Sequence, residues 1–230
     1  MSAIIEYLNL VLLGYSALLP IANPLTSMTL LMTLGQGFTP QERRKEINLG
    51  TLYVVGIMVV CFYGGTAVMN LFGISIPGLR IAGGLVVMYI GFTMLFPGSR
   101  HDERESQAEM APDKVVRPPS IAFVPLAMPG TAGPGTIALI ISGAASITGS
   151  APLSLHHHLA ALTVFSLLGL TFWLCLRSAT SIVKWLGEAG IDAFARVMGF
   201  LLICMGVQFV INGALEVIPP DQPAHTTALR

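Results

Sequence analysis

Charge is what this sequence has least of. Its 230 residues include 12 Lys or Arg and 12 Asp or Glu, 10% in all, against 53% hydrophobic residues and a mean hydropathy of +0.74. A soluble domain carries about a quarter charged residues, so a water-facing surface cannot be built from this composition. The charges cancel, which leaves no basic field to hold a nucleic acid. Cysteine is nearly absent too. Cys61, Cys175 and Cys204 fall inside apolar runs, where a thiol packs as a small apolar group, and no disulfide framework is implied. No Lys or Arg precedes Arg43, so the basic region of a cleavable signal is missing and the first apolar run is expected to stay in the mature chain.

Enzyme signatures are missing as well. There is no G-x-S-x-G, H-E-x-x-H or P-loop lysine, and Gly130-x-x-Gly133-x-Gly135 follows an apolar helix where a nucleotide fingerprint needs a strand. His156, His157 and His158 are consecutive and point in different directions on a helix, a poor arrangement for a metal. No cofactor is expected.

What the chain does have is length without charge. Uncharged runs cover 7–41, 47–79, 81–99, 118–176 and 197–215. A hydrocarbon core about 30 Å thick takes about 20 helical residues to cross, and unpaired backbone in lipid is prohibitive. The reading is an all-α polytopic membrane protein with spans near 4–34, 49–72, 76–97, 120–147, 157–177 and 194–217. Pro20 and Pro24 interrupt the first of these, and Pro125, Pro129 and Pro134 the fourth, so each is expected to be two half-helices around an unwound middle. Most Lys and Arg fall in or beside the segments 35–48, 98–119 and 178–193, while the opposite side has Arg80 and Arg230. The first group is therefore expected in the cytoplasm and both termini in the periplasm.

The sequence repeats itself. Pro20-Ile-Ala-Asn-Pro24-Leu-Thr26 and Pro125-Leu-Ala-Met-Pro129-Gly-Thr131 share P-x-A-x-P-x-T at an offset of 105 residues. Gly84, Gly91 and Gly98 recur every seven residues, as do Gly199, Gly206 and Gly213, and such small-residue rows let helix backbones approach in lipid. Three spans per copy would turn the second copy over. The expected organisation is two inverted three-helix repeats at 1–97 and 120–218, a polar cytoplasmic linker at 98–119 and a polar tail at 219–230.

The stretches GISIPGLRIAGG (73–84), IAFVPLAMPGTAGPGTIALII (121–141) and MGFLLICMGVQFVING (198–213), with PIANPLT (20–26), resemble the MarC family of bacterial inner-membrane proteins over nearly the whole chain except the linker. That family is related to small neutral amino acid transporters, so the resemblance implies a multipass secondary carrier of small neutral solutes in the bacterial inner membrane. One departure is Gly130, where the family pattern suggests a hydroxyl residue and Thr131 becomes the nearer donor.

The polar and small residues at the two breaks, Asn23, Thr26, Ser27, Gly130, Thr131, Gly133, Gly135 and Thr136, are the candidate substrate site at the membrane midplane. An opened helix exposes N–H groups that suit a carboxylate and carbonyls that suit an ammonium. On this reading Thr26→Ala with Thr131→Ala abolishes uptake and spares folding. Arg80 and Arg196 stand near the starts of the third and sixth spans, as headgroup snorkels or as gates bonding unwound carbonyls. Gln208, Asn212 and Asn48 are further polar candidates, more suited to joining helices than to binding a ligand. No Asp or Glu sits in the middle of a span, which leaves Na⁺ coupling or plain facilitation in place of a carboxylate proton relay. Two other classes stay open: a channel-like facilitator, and a membrane-embedded structural or regulatory protein. The glycine rows could also join copies in a homo-oligomer.

Overall fold

The computed structural model describes residues 2–35, 37–96, 120–128, 131–148 and 155–217, and the linker, the tail and Gly130 lie outside them. Among the described residues the secondary structure is wholly helical. In chain order the elements are α1 (Ser2–Ala22), α2 (Pro24–Leu34), α3 (Pro40–Phe72), α4 (Ile76–Leu95), a π-type turn (Ala122–Ala127), α5 (Pro134–Thr148), α6 (Leu155–Arg177) and α7 (Ala179–Val217). Five of them contain stretches long and apolar enough to cross a membrane, namely Ile4–Ala22, Pro40–Phe72, Ile76–Leu95, Leu155–Arg177 and Ala189–Val217; Pro134–Ile147 is apolar and shorter.

Three boundaries differ from the sequence reading. α3 starts at Pro40, within the segment expected to be a loop, because Thr39 and Glu42 form a reciprocal capping box and Pro40 needs no N–H partner in the first turn. α7 likewise begins at Ala179, inside the expected loop 178–193, and absorbs a break at Gly187, whose φ of 66° suits glycine. The first half of the fourth span is one π-type turn with Val124 extended, so it is far shorter than the half-helix expected there.

Packing divides the molecule into two apolar clusters. Phe172, Leu126, Leu31, Met58, Val54 and Leu176 are fully buried where α2, α3, α6 and the π-type turn meet. Val87, Met94 and Leu202 form the second cluster, between α4 and α7. Large apolar side chains cover the outside, such as Leu12 at 69%, Tyr89 at 70% and Leu71 at 81% exposed, which suits a surface in contact with acyl chains.

α4 and α7 run antiparallel with their glycine rows face to face. A Cβ on Gly84 would lie 2.6 Å from the Gly206 carbonyl oxygen, one on Gly206 would lie 2.6 Å from that of Gly84, and Gly91 and Gly199 face each other the same way. Gly213 meets the Pro77 carbonyl. The described glycines of both rows are thus taken up in the α4–α7 contact.

Candidate functional site

Asn23 breaks the first span. Its backbone sits in the left-handed region at φ 36°, a conformation Asn tolerates better than most residues, and its N–H closes α1 on the Leu19 carbonyl. Pro24 then opens α2 in the turn where no N–H is needed, whereas Pro20 stays within α1. In the fourth span the chain leaves the π-type turn at Met128, and Pro134 starts α5.

The two breaks meet. Ser27 Oγ donates to the Leu126 carbonyl at 3.0 Å and lies 2.9 Å from Thr131 Oγ1. A serine hydroxyl has one hydrogen, so the Thr131 hydroxyl donates in the second bond. Thr136 Oγ1 in turn donates to the Thr131 carbonyl at 2.9 Å. Ser27, Thr131 and Thr136 are at most 2% exposed, so these bonds lie in the buried interior, where each is strengthened. Asn23, also buried, donates from Nδ2 to Met94 Sδ at 3.2 Å and ties the first break to α4. Gly135 is buried against α4, where a Cβ would run into Val87 Cγ2 at 2.3 Å, so the start of α5 is held close by the absence of a side chain. Gly133 is buried and its carbonyl accepts from Ile137 N–H. Thr26 is half-buried, with its N–H on the Asn23 carbonyl in the first turn of α2. Seven of the eight candidate site residues therefore gather around two facing helix breaks, and Gly130 lies outside the described residues.

The other candidates are elsewhere. Among the described residues Arg80 bonds side chains and not unwound carbonyls: Nε donates to Ser142 Oγ at 2.6 Å, one terminal nitrogen to Ser146 Oγ and the other to Glu216 in a salt bridge. It fastens α4 to α5 and to the end of α7 beside a cavity of about 390 Å³. Arg196 is exposed in the body of α7 and is not brought to the breaks. Gln208 and Asn212 bond each other along α7, while Asn48 accepts from Trp173 Nε1 and joins α3 to α6. His158 pairs with Tyr63 through its Nδ1 at 3.0 Å.

One buried charge that positions the fourth span escapes the sequence reading. Glu46, in the segment expected to be a loop, is buried in α3, and its Oε2 accepts from Ser120 Oγ at 2.9 Å, Ile121 N–H at 2.9 Å and Ala122 N–H at 2.8 Å. A helical turn begins with unpaired N–H groups and positive potential, and this carboxylate satisfies both. It pins the start of the broken fourth span to α3, and Gly50 one turn on lets the Ala122 carbonyl come close. Its neighbours Arg43, Arg44 and Lys45 suggest a solvated charge run, and no pattern in the sequence couples Glu46 to Ser120. Glu46→Gln removes the charge from three charge-assisted bonds and should lower stability by about 1–2 kcal/mol, read from thermal unfolding in detergent.

Similarity to known proteins adds the family. Residues 8–218 match the model of the MarC family integral membrane protein. The inner membrane proteins named MarC of Salmonella typhimurium and Salmonella typhi are each 49% identical over 211 residues, covering 90% of this chain and 94% of theirs. That of Escherichia coli O1:K1 is 48% identical over 210 residues with the same coverage. No solved structure matches this chain. With the match spanning both helix breaks and both glycine rows, the chain belongs to the MarC family and is an integral protein of the inner membrane.

Proposed function

We propose that this protein is a secondary transporter of small neutral solutes, neutral amino acids first among them, and that the two facing helix breaks are its binding site. The observation that carries the reading is the buried bond between Ser27 and Thr131, which joins the breaks through groups able to donate and accept. A zwitterion needs both. Its carboxylate would take the hydroxyl hydrogens and the N–H groups at the starts of α2 and α5, and its ammonium the carbonyls at the end of α1 and near Leu126. In the described arrangement the two hydroxyls and the Leu126 carbonyl satisfy one another, so binding exchanges these internal bonds for bonds to the solute.

The same placement supports a finer organisation. The breaks come from two copies of one motif, and the α4–α7 pairing is reciprocal about the Gly84–Gly206 and Gly91–Gly199 contacts, as inverted three-helix repeats would be. Alternating access is then the rocking of one copy against the other, with the linker 98–119 in the cytoplasm and both termini in the periplasm.

Purified protein in liposomes, given labelled glycine, alanine and serine with Na⁺ or pH gradients, should show saturable uptake above empty vesicles. The gradient that drives accumulation identifies the coupling ion. Absence of flux under every gradient, from protein shown to be folded and inserted, would overturn the assignment to amino acids.

A further inference from the structure

A second polar feature lies at the end of the molecule that carries Arg43, Arg44 and Arg177, apart from the helix breaks. α3 starts and α6 finishes there, and between them opens a cavity of about 370 Å³ lined by the three arginines, Asn48 and Trp173. Its walls are positioned. Trp173 Nε1 donates to Asn48 Oδ1 at 2.9 Å, and the Arg177 guanidinium lies 4.9 Å from the centre of the Trp173 ring. Arg43 is half-buried, with a terminal nitrogen on Met32 Sδ at 3.0 Å. None of the three arginines forms a salt bridge with a described residue. Three guanidinium groups around one cavity repel each other, and the arrangement calls for an anion.

The surroundings indicate what kind. Along α3, Arg44, Asn48 and Leu52 follow at four-residue steps, and along α6 Leu170, Leu174 and Arg177 share one face. Leu52, Leu170 and Leu174 are 65%, 51% and 48% exposed. One to two turns along each helix from the cavity the outer face is therefore open and apolar, a profile that suits an amphiphile with a negative head. We propose that this is a site for the phosphodiester headgroup of an anionic phospholipid of the cytoplasmic leaflet, with its acyl chains along Leu52, Leu170 and Leu174. Guanidinium forks match phosphate oxygens in pairs, tryptophan favours the level of the headgroups, and basic pockets between helices on the cytoplasmic side suit such lipids.

The test uses full-length protein, delipidated and then given equal amounts of phosphatidylglycerol and phosphatidylcholine in mixed micelles, with retained lipid counted by native mass spectrometry. Phosphatidylglycerol should be retained about tenfold over phosphatidylcholine and should raise Tm, since each basic residue near an anionic headgroup contributes modestly. Arg44→Gln with Arg177→Gln should abolish the preference while Tm in phosphatidylcholine stays at the wild-type value. If the double variant does not fold, Arg44→Gln alone, at an exposed position, should reduce the preference. Equal retention of the two lipids by the wild type, or a preference undiminished in the folded variants, would overturn the site. A rise in Tm with inorganic phosphate equal to that with phosphatidylglycerol would overturn the lipid assignment in favour of a soluble phosphate ligand.

Discussion

Gly206→Leu should lower the stability of this protein by about 3 kcal/mol or more, at the upper end of what overpacking costs in a dense interior. The reason is the identity of the atoms in the way. A Cβ at Gly206 would meet the Gly84 carbonyl oxygen at 2.6 Å and the Met88 amide nitrogen at 2.8 Å, both backbone, so no rotamer change can make room. Relief requires α4 and α7 to separate along much of their length. In lipid that separation is especially damaging, because no hydrophobic drive holds helices together and close van der Waals contact must do it. Gly206→Ala, with one added carbon, should show a smaller loss of the same sign and covers the case in which leucine prevents folding. Gly56 supplies the control. It lies exposed on α3, and a Cβ there would have no neighbouring atom within 4 Å, so Gly56→Ala should be neutral or stabilise by up to about 1 kcal/mol through helix propensity. Thermal unfolding in detergent measures all three, and a Gly206→Leu protein that unfolds at the wild-type temperature would mean that the two glycine rows do not pair.

Those rows show which part of the structure can be seen in a single sequence. Small residues at a seven-residue period leave a strong signal, because nothing else lets two backbones touch in lipid, and the prolines at 24 and 134 mark helix starts through their missing N–H. Ser27 and Thr131 are visible as polar groups in apolar surroundings for the same reason. Their bond to each other is not, since it depends on how α2 sits against the segment before α5. The boundaries of α3 and α7 are hidden by a different cause: hydropathy reports where a helix is apolar and is silent about its charged extension. Thr39-Pro40-Gln41-Glu42 is a readable capping box, and it is the signal that starts α3 correctly. Glu46 shows the remaining limit. Its partners Ser120, Ile121 and Ala122 stand more than seventy residues away, and a carboxylate beside three basic residues looks solvated until the fold turns it inward.

Placing Ser27 between the breaks also changes which double variant tests transport. Thr26 is half-buried, with its backbone engaged in the first turn of α2, whereas Ser27 and Thr131 share the buried bond. Ser27→Ala with Thr131→Ala should therefore reduce uptake by at least about a hundredfold, because two hydroxyls that would bond a charged end of the solute are each worth about 1.5–3 kcal/mol. The cost to folding should be smaller, about 1–2 kcal/mol, since both partners of one hydrogen bond leave together and the Leu126 carbonyl alone loses a donor. Thr136→Ala separates recognition from architecture. Its hydroxyl bonds the Thr131 carbonyl and supports the break from behind, so its loss should weaken uptake less than the double change does. Ser27→Thr with Thr131→Ser retains both hydroxyls and should recover much of the activity where the added methyl fits. Wild-type uptake by a folded Ser27→Ala, Thr131→Ala protein would mean that the two breaks meet only to hold the helices together, and that the solute crosses by another route.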